Sequence, residues 1–320
     1  MSVASSLPRA RPGLVGRLAG FTKSVFEPKL HAAFAGFWSI SLYGNLHVVS
    51  DVPTWRWDRA VAVLAASVFA TALFLRIVDE IKDYEYDVVH NPGRPLVTGA
   101  VSRSDLVRYL VVVAAILLVA NALVAVPLAI WLALDMGYGL FHLPLERWCK
   151  PVRDNLLVNL VAIYPVNIAL SVYTVLVFLE RTGVGFQSRQ AWLVVAYACA
   201  FLHFEFARKS GWPHLAEPSE RLYSQILGLR GALFLSTGFG VAALGTAVWL
   251  FAPWTRTGAG VVTGWLPLLG LAPMSIGLWL YARNRDRRHA ARPPAVAFLF
   301  AFYLTMFVNA VATRQAAWGG

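Results

Sequence analysis

Four carboxylates and one guanidinium lie close together in segment 76–87 of this sequence. They are Arg76, Asp79, Glu80, Asp83 and Asp87. If the segment is one α-helix, a turn of about 100° per residue places all five within an arc of roughly 100°, with Lys82 and Glu85 pointing elsewhere. Like charges on one helix face repel each other, whereas Mg²⁺ binds carboxylate oxygens together with phosphate oxygens and water. The spacing therefore favours a Mg²⁺ and phosphate site over a merely solvated helix end.

A constrained loop follows this acidic segment. Residues 91–102 contain two prolines and two glycines around Arg94. Proline fixes the backbone and glycine permits tight turns, so the loop is expected to hold a defined shape. Arg94 is then in a position to fold back onto an anionic ligand.

A second charged cluster lies near the end of another apolar segment. On a helix, Glu205, Arg208 and Lys209 fall within about 100° of each other, and Tyr223 follows in the next loop. Glu205 is expected to pair with a base near the membrane edge. Two interpretations remain open. The cluster is either a plain ion pair at a helix end, or a phosphate site in which Arg208 binds with the planar donors of its guanidinium and Lys209 with its compact ammonium charge.

The elements that must position these clusters are membrane helices. Hydrophobic residues make up 58% of the 320-residue chain, charged residues 14%, and the mean hydropathy is +0.58. Soluble domains are about 45–50% apolar, and an apolar stretch of roughly 20 residues spans a bilayer. The sequence predicts an all-α, polytopic bundle of about nine transmembrane helices, near 31–49, 58–78, 105–125, 127–144, 155–179, 190–207, 226–252, 259–281 and 294–313.

The distribution of positive charge predicts the orientation of the bundle. With the N-terminus inside, 22 of the 28 Lys and Arg residues fall in cytoplasmic segments, as the positive-inside rule requires. This predicts an N-in, C-out protein with both charged clusters facing the cytoplasm. The net charge of +11 is dispersed over five segments, so it indicates attraction to anionic membrane lipids rather than nucleic-acid binding. Arginine outnumbers lysine, which favours a bacterial cytoplasmic (inner) membrane.

Three regions are predicted along the chain. Residues 1–30 are expected to form a cytoplasmic, amphipathic N-terminal segment, 31–313 the single transmembrane domain of nine helices, and 314–320 a short tail. Asp135 lies in the middle of the fourth predicted helix. An acid at this depth is expected to face the bundle interior, either to position an acceptor or move a proton, or to be satisfied by a buried partner.

The first acidic segment resembles a motif of the UbiA superfamily of intramembrane prenyltransferases. That motif reads N-D-x-x-D-x-x-x-D and is followed by R-P-L and G-x-x-S. Asp79 and Glu80 stand at its first two positions, and the remaining positions match: Asp83, Asp87, Arg94, Pro95, Leu96, Gly99 and Ser102. The family's second motif, D-x-x-x-D, is altered, because Glu205 replaces the first acid and Lys209 the second.

The resemblance implies a Mg²⁺-dependent transfer of an isoprenoid group from a prenyl diphosphate to an aromatic or lipid-like acceptor. The implied Mg²⁺ ligands are Glu80, Asp83, Asp87 and Glu205. Asp83, Asp87, Arg94 and Lys209 are implied to be catalytic, and Arg76, Asp79, Glu205, Arg208, Tyr223 and Asp135 to contact substrates. Other interpretations remain open: a UbiA-type terpene cyclase, transfer of another group such as a phosphosugar, or a non-catalytic transporter or scaffold. Whether one or two Mg²⁺ bind also stays open.

Overall fold

The computed structural model describes residues 12–216, 220–283 and 291–318. That part of the chain contains fourteen α-helices and two short strands. The helices are α1 (Leu14–Val25), α2 (Pro28–Val49), α3 (Arg59–Lys82), α4 (Tyr84–His90), α5 (Arg103–Ala122), α6 (Val126–Trp148), α7 (Lys150–Asp154), α8 (Leu156–Ile163), α9 (Pro165–Thr182), α10 (Ser188–Arg208), α11 (Tyr223–Phe251), α12 (Ala259–Thr263), α13 (Leu271–Arg283) and α14 (Arg292–Thr313). The strands β1 (Thr54–Trp57) and β2 (Gln315–Trp318) pair in parallel.

Among the described residues, eight helical segments are long and apolar enough to cross a membrane. They are Arg59–Lys82, Arg103–Ala122, Val126–Trp148, Leu156–Thr182, Ser188–Arg208, Tyr223–Thr255, Ala259–Arg283 and Arg292–Thr313. These correspond to the second to ninth predicted segments. The prediction of an all-α polytopic bundle is therefore confirmed.

Helix α2 occupies the first predicted segment but falls outside this set of eight. Its 22 residues extend about 33 Å, enough to cross a bilayer, but polar residues interrupt its apolar character. The side chain of Asn45 donates to the backbone oxygen of Met306 (2.7 Å), and Asn309 donates to Asn45 Oδ1 (2.9 Å). Buried amide groups of this kind join helices inside membranes, so the polar residues of α2 fix it against α14.

Local sequence signals explain several helix boundaries. Asp58 accepts from the backbone N–H groups of Ala60 and Val61 and so caps the start of α3. Ser102 and Asp105 form a reciprocal capping box at the start of α5. The predicted helix 155–179 is divided into α8 and α9, because Pro165 has no N–H to continue the hydrogen-bond ladder.

Helices α3 and α6 run parallel with a constant register. Lys82 Nζ lies 3.1 Å from Glu146 Oε1, a pair that is 64 positions apart. Leu75 and Gly139 are also 64 positions apart in the sequence. They are in close contact, because a Cβ added to Gly139 would lie 2.5 Å from Leu75 Cδ2. Positions i, i+4 and i+11 share one helix face, so this register places residue 71 opposite residue 135.

Helix α1 lies within the predicted N-terminal segment, of which residues 1–11 are outside the described range. Arg17 binds the Asp105 carboxylate of α5 at 2.9 and 3.0 Å, and Phe21 is buried in an apolar cluster with residues of α3 and α5. These contacts attach α1 to the same end of the bundle as the start of α5. Contact between α1 and the membrane surface stays a prediction.

Candidate functional site

The acidic segment lies where α3 ends and α4 begins, so it is not one continuous helix. Helix α3 ends at Lys82, and Asp87 belongs to α4. The expectation that Lys82 points away from the acids is wrong: its Nζ lies 3.4 Å from Asp79, 3.9 Å from Asp83 and 3.1 Å from Glu146. Asp79 lies three residues before Lys82, and side chains at i and i+3 are neighbours on a helix. The long flexible stem of lysine also lets its charge reach Asp83 and Glu146.

Two of the predicted acids form a buried set with two arginines, which we call the inner acidic group: Arg76, Glu80, Asp87 and Arg94. The side chains of Glu80 and Asp87 are 1% and 7% exposed. Arg76 donates to Glu80 at 3.1 Å, whereas Arg94 lies 3.8 Å from Glu80 and 3.9 Å from Asp87. The Arg94 contacts are longer than hydrogen bonds, so charge attraction holds its guanidinium beside the two acids.

The other acids form a more exposed set around Lys82, which we call the outer acidic group: Asp79, Lys82, Asp83 and Glu146. Side-chain exposures are 46% for Asp79 and 45% for Asp83. Partial burial raises the pKa of the Asp83 carboxyl to about 6, and the charges of Asp79 and Glu146 add to this effect, whereas Lys82 opposes it. Asp83 therefore titrates close to neutral pH, unlike an ordinary carboxyl.

The inner acidic group has the donor chemistry that Mg²⁺ requires. Glu80 Oε1 is buried and has no hydrogen-bond partner in the described structure, and Asn91 donates to Asp87 Oδ1 at 2.7 Å. Mg²⁺ is commonly bound by one or two carboxylates plus substrate phosphates and water, which Glu80 and Asp87 fit. Across the described ranges, no three His, Cys, Asp or Glu residues are placed to hold a metal without such added ligands.

Glu205 lies in a separate set that we call the α10 cluster: Glu205, Arg208, Lys209 and Tyr223. Glu205 is buried, accepts from Arg208 Nε at 2.6 Å and lies 2.9 Å from Lys209 Nζ. Tyr223 donates to its other oxygen at 3.3 Å. The expected ion pair thus forms, with two bases instead of one. Both Glu205 oxygens are engaged, whereas about a third of each base side chain remains exposed.

Both charged regions lie at the same end of the bundle. Glu146, which contacts Lys82, is in the last turn of α6, and α7 follows at once. Arg221 donates to the backbone oxygen of Arg153 in α7 at 2.6 Å, which ties this end of α6 to the segment preceding Tyr223. No hydrogen bond or ion pair joins the inner acidic group to the α10 cluster in the part of the chain described. The four predicted Mg²⁺ ligands therefore occupy three different sets.

Several residues of this region carried no prediction from the sequence. Asn91 binds Asp87, Glu146 binds Lys82, and Asn159 donates to Glu146 at 3.0 Å. The sequence did contain a signal for Glu146: it lies eleven residues after the buried acid Asp135, and positions i and i+11 share one helix face. The same spacing places Asp135 far from the charged end.

Neither the scan against protein-family models nor the search of curated proteins finds a match for this chain. Among solved structures, it is similar to the apo structure of a UbiA homologue from Aeropyrum pernix K1, at a TM-score of 0.62 and 16% identity over 88% of this chain and 97% of that one. The chain has the UbiA fold. A digeranylgeranylglyceryl phosphate synthase structure is also similar, at a TM-score of 0.58 and 14% identity over 92% of this chain and 99% of that one.

Placed in the UbiA fold, the two altered motifs have different structural consequences. Glu80 replaces an Asp of the family pattern, yet its carboxylate is buried beside Arg76 and Arg94. Lys209 replaces an acid, and its ammonium neutralises Glu205 together with Arg208. The first substitution keeps an acidic site, and the second leaves one acid between two bases where the family motif has two acids.

Proposed function

We propose that this protein is an intramembrane prenyltransferase that moves an isoprenoid group from a prenyl diphosphate to an apolar acceptor. The observation that supports this most is the inner acidic group, in which a buried carboxylate oxygen of Glu80 has no partner and Arg94 contacts both acids loosely. Such a site is prepared for an anion and its counter-cation. The similarity to UbiA-fold structures supports the same reaction class.

In the proposed reaction, the bond between the first isoprenoid carbon and the diphosphate oxygen breaks. That carbon bonds to the acceptor, which loses a proton, and diphosphate leaves. Glu80 and Asp87 would hold Mg²⁺ at this site, and the bound cation would supply positive charge toward the leaving diphosphate. Arg76 and Arg94 on one side, and Arg208 and Lys209 on the other, stabilise the same developing charge through preorganised donors.

The residues of the proposed site divide this work by their contacts. Arg94 exchanges its long carboxylate contacts for phosphate oxygens, which it can bind with two donors at once. Glu205 keeps Arg208 and Lys209 in place while their exposed sides face the substrate, and Tyr223 fixes Glu205.

The test is Mg²⁺-dependent release of diphosphate by the protein in lipid nanodiscs, with prenyl diphosphates of several lengths and aromatic and lipid acceptors. We expect release by the wild type, and loss of at least about 100-fold in Glu80→Gln. Glu85→Gln makes the same change on exposed α4 and should stay active. The mass of the organic product distinguishes the two reactions, because transfer joins the isoprenoid group to the acceptor, whereas cyclisation leaves the acceptor unchanged. Binding of diphosphate without release by any donor would instead support a non-catalytic transporter or scaffold.

We also propose that the site faces the cytoplasm of a bacterial inner membrane. The positive-inside distribution supports this, and a natural probe exists, because Cys149 caps the end of α6 near the charged region. In a Cys199→Ser background, an impermeant thiol reagent should label Cys149 in inverted inner-membrane vesicles and leave it unlabelled in right-side-out vesicles. The reverse pattern would place the charged end outside.

A further inference from the structure

A pair of unsatisfied polar side chains lies between α3 and α6, away from the charged end. Asp135 is 4% exposed and Thr71 is fully buried. Neither Asp135 oxygen nor the Thr71 hydroxyl has a hydrogen-bond partner within the described ranges. Leaving such groups unpaired inside a membrane costs several kcal/mol in total. Their position therefore calls for a ligand or another compensating group.

The register of the helices places these two side chains opposite each other. The Lys82–Glu146 and Leu75–Gly139 contacts share a separation of 64 positions, and Thr71 and Asp135 have that separation too. The positions 71, 75 and 82 on α3, like 135, 139 and 146 on α6, repeat at i, i+4 and i+11 and so lie on one face. Thr71 and Asp135 therefore lie on the same two helix faces as the Lys82–Glu146 pair, at the corresponding level of the α3–α6 interface, and no hydrogen bond joins them.

The span formed by α8 and α9, with Pro165 at their junction, forms the third side of this location. Trp131 donates to the Ala169 oxygen at 2.9 Å, and Tyr138 donates to the Ala162 oxygen at 2.7 Å. Seven residues further along α6, the contact has moved seven residues back along the partner segment, so α6 runs antiparallel to α8–α9. Asp135 lies four residues after Trp131, which places it level with Pro165, where α9 begins. The backbone keeps helical angles at Tyr164, so the junction is a proline within one span. The backbone groups freed at such a proline are paired by neighbouring helices, as Tyr138 does for the Ala162 oxygen.

We infer that Thr71 and Asp135 form a site for a hydroxyl group of the acceptor substrate. The identification of the occupant as the acceptor rests on the proposed function. The site offers one carboxyl group and one hydroxyl, which together can accept from and donate to the O–H group of a ligand. A hard cation such as Mg²⁺ or Ca²⁺ needs six or more oxygens, and the described residues form no such group here. A prenyl tail carries no polar group that could occupy the site.

The depth of the site determines what the hydroxyl does. Asp135 lies eleven residues before Glu146, or about 16 Å along the helix axis. The atom that attacks the isoprenoid carbon must approach it to about 3–3.5 Å, near the diphosphate at the charged end. The hydroxyl bound by Asp135 is therefore remote from the atom that is alkylated. Thr71 and Asp135 are positioning residues that select an acceptor with a second polar group.

The experiment measures binding of paired probes to the full-length protein in nanodiscs by thermal shift titration. The probes are an alkyl hydroquinone and a long-chain alcohol, each compared with its methyl ether. We expect the free hydroxyl probes to bind the wild type at least tenfold more tightly than the ethers, and this preference to disappear in Asp135→Leu and Thr71→Val. Thr174→Val should retain it, because the Thr174 hydroxyl is already bonded to Leu170 of its own helix.

Other outcomes overturn the inference. Equal binding of hydroxyl and ether probes would make Asp135 and Thr71 structural polar residues. Stabilisation by NaCl over choline chloride that is lost in Asp135→Leu would identify a monovalent cation site instead. Binding of inorganic diphosphate with Mg²⁺ is measured in parallel. If diphosphate fails to bind while the hydroxyl preference persists, the proposed function fails and the hydroxyl site remains.

Discussion

The inner acidic group and the α10 cluster occupy the same end of the bundle but differ in how far their charges are satisfied. In the inner acidic group, two buried acids share two arginines, Arg94 stays beyond hydrogen-bond distance, and one Glu80 oxygen is unpartnered within the described structure. In the α10 cluster, one acid binds two bases and a tyrosine at short range. The first region is prepared to exchange partners, whereas the second is already complete.

This difference indicates how a two-sided phosphate site can work when one acidic motif has been altered. A region with loosely held charges can accept a cation and an anion together. A region with a saturated acid presents only the outer faces of its bases, so it attracts an anion without binding a metal. We therefore expect one Mg²⁺ at the inner acidic group and direct phosphate contact at the α10 cluster.

Among the bases of the two regions, the largest expected effect is at Arg94. Arg94→Ala should lower kcat/KM for the prenyl diphosphate by about 100-fold, because it removes two donors from the developing charge. Arg94→Lys should recover only part of this loss, since an ammonium cannot bind two oxygens as a planar fork. Steady-state diphosphate release measures both. Arg103→Ala, at the exposed start of α5, is the matched control, and an equal loss there would remove the special role of Arg94.

A smaller effect is expected at Lys209. Lys209→Ala should raise KM for the prenyl diphosphate about tenfold, equivalent to ~1.4 kcal/mol, because Arg208 remains bound to Glu205. The Mg²⁺ stoichiometry, measured by calorimetry with a non-hydrolysable diphosphate, should stay at one. Exposed Arg230→Ala should leave KM unchanged. A second Mg²⁺ in the wild type would show that the α10 cluster also binds metal. The proposed difference between a metal-binding inner acidic group and a metal-free α10 cluster would then be wrong.

The outer acidic group should confer a pH dependence. Because the pKa of Asp83 is raised to about 6, its carboxylate form is lost as pH falls through that value, and about one tenth remains ionised at pH 5. Activity should fall up to about tenfold between pH 7 and pH 5. Asp83→Asn should be less active at pH 7 and lack this inflection. The same inflection in the variant would assign it to another group, such as the diphosphate itself.

The smallest effect is expected at Asn91, which supports Asp87 from the loop. Asn91→Ala should lower kcat/KM by about 3–10-fold, since it removes one hydrogen bond to a charged acceptor. Thr98→Ala changes an exposed hydroxyl of the same loop and should have no effect. An unchanged rate in Asn91→Ala would show that Asp87 is held by Arg94 alone.

The membrane helices could be predicted well from the sequence, because each one depends on the hydrophobicity of its own contiguous segment. Apolar stretches of bilayer length determine where spans lie, and the eight spans found agree with the predicted segments. The division at Pro165 was missed, although a proline inside an apolar run is a recognised signal for a helix break. The sites of the charged clusters followed from the same local pattern, since each lies next to the end of a span.

Which charges meet was decided by tertiary structure. Lys82 was expected to point away from the acids. Its contact with Asp79 is a local i,i+3 pair that helical spacing does contain, whereas its contact with Glu146, 64 residues later, cannot be read from the periodicity of one helix. The separation of the acids into inner and outer groups depends on the helix end at Lys82 and on the packing of α3 against α6. Asp135 could be recognised from the sequence as a buried acid, but its position opposite Thr71 and Pro165 follows from the register of three helices. Such a register is fixed by side-chain packing along the whole interface, which no local pattern contains.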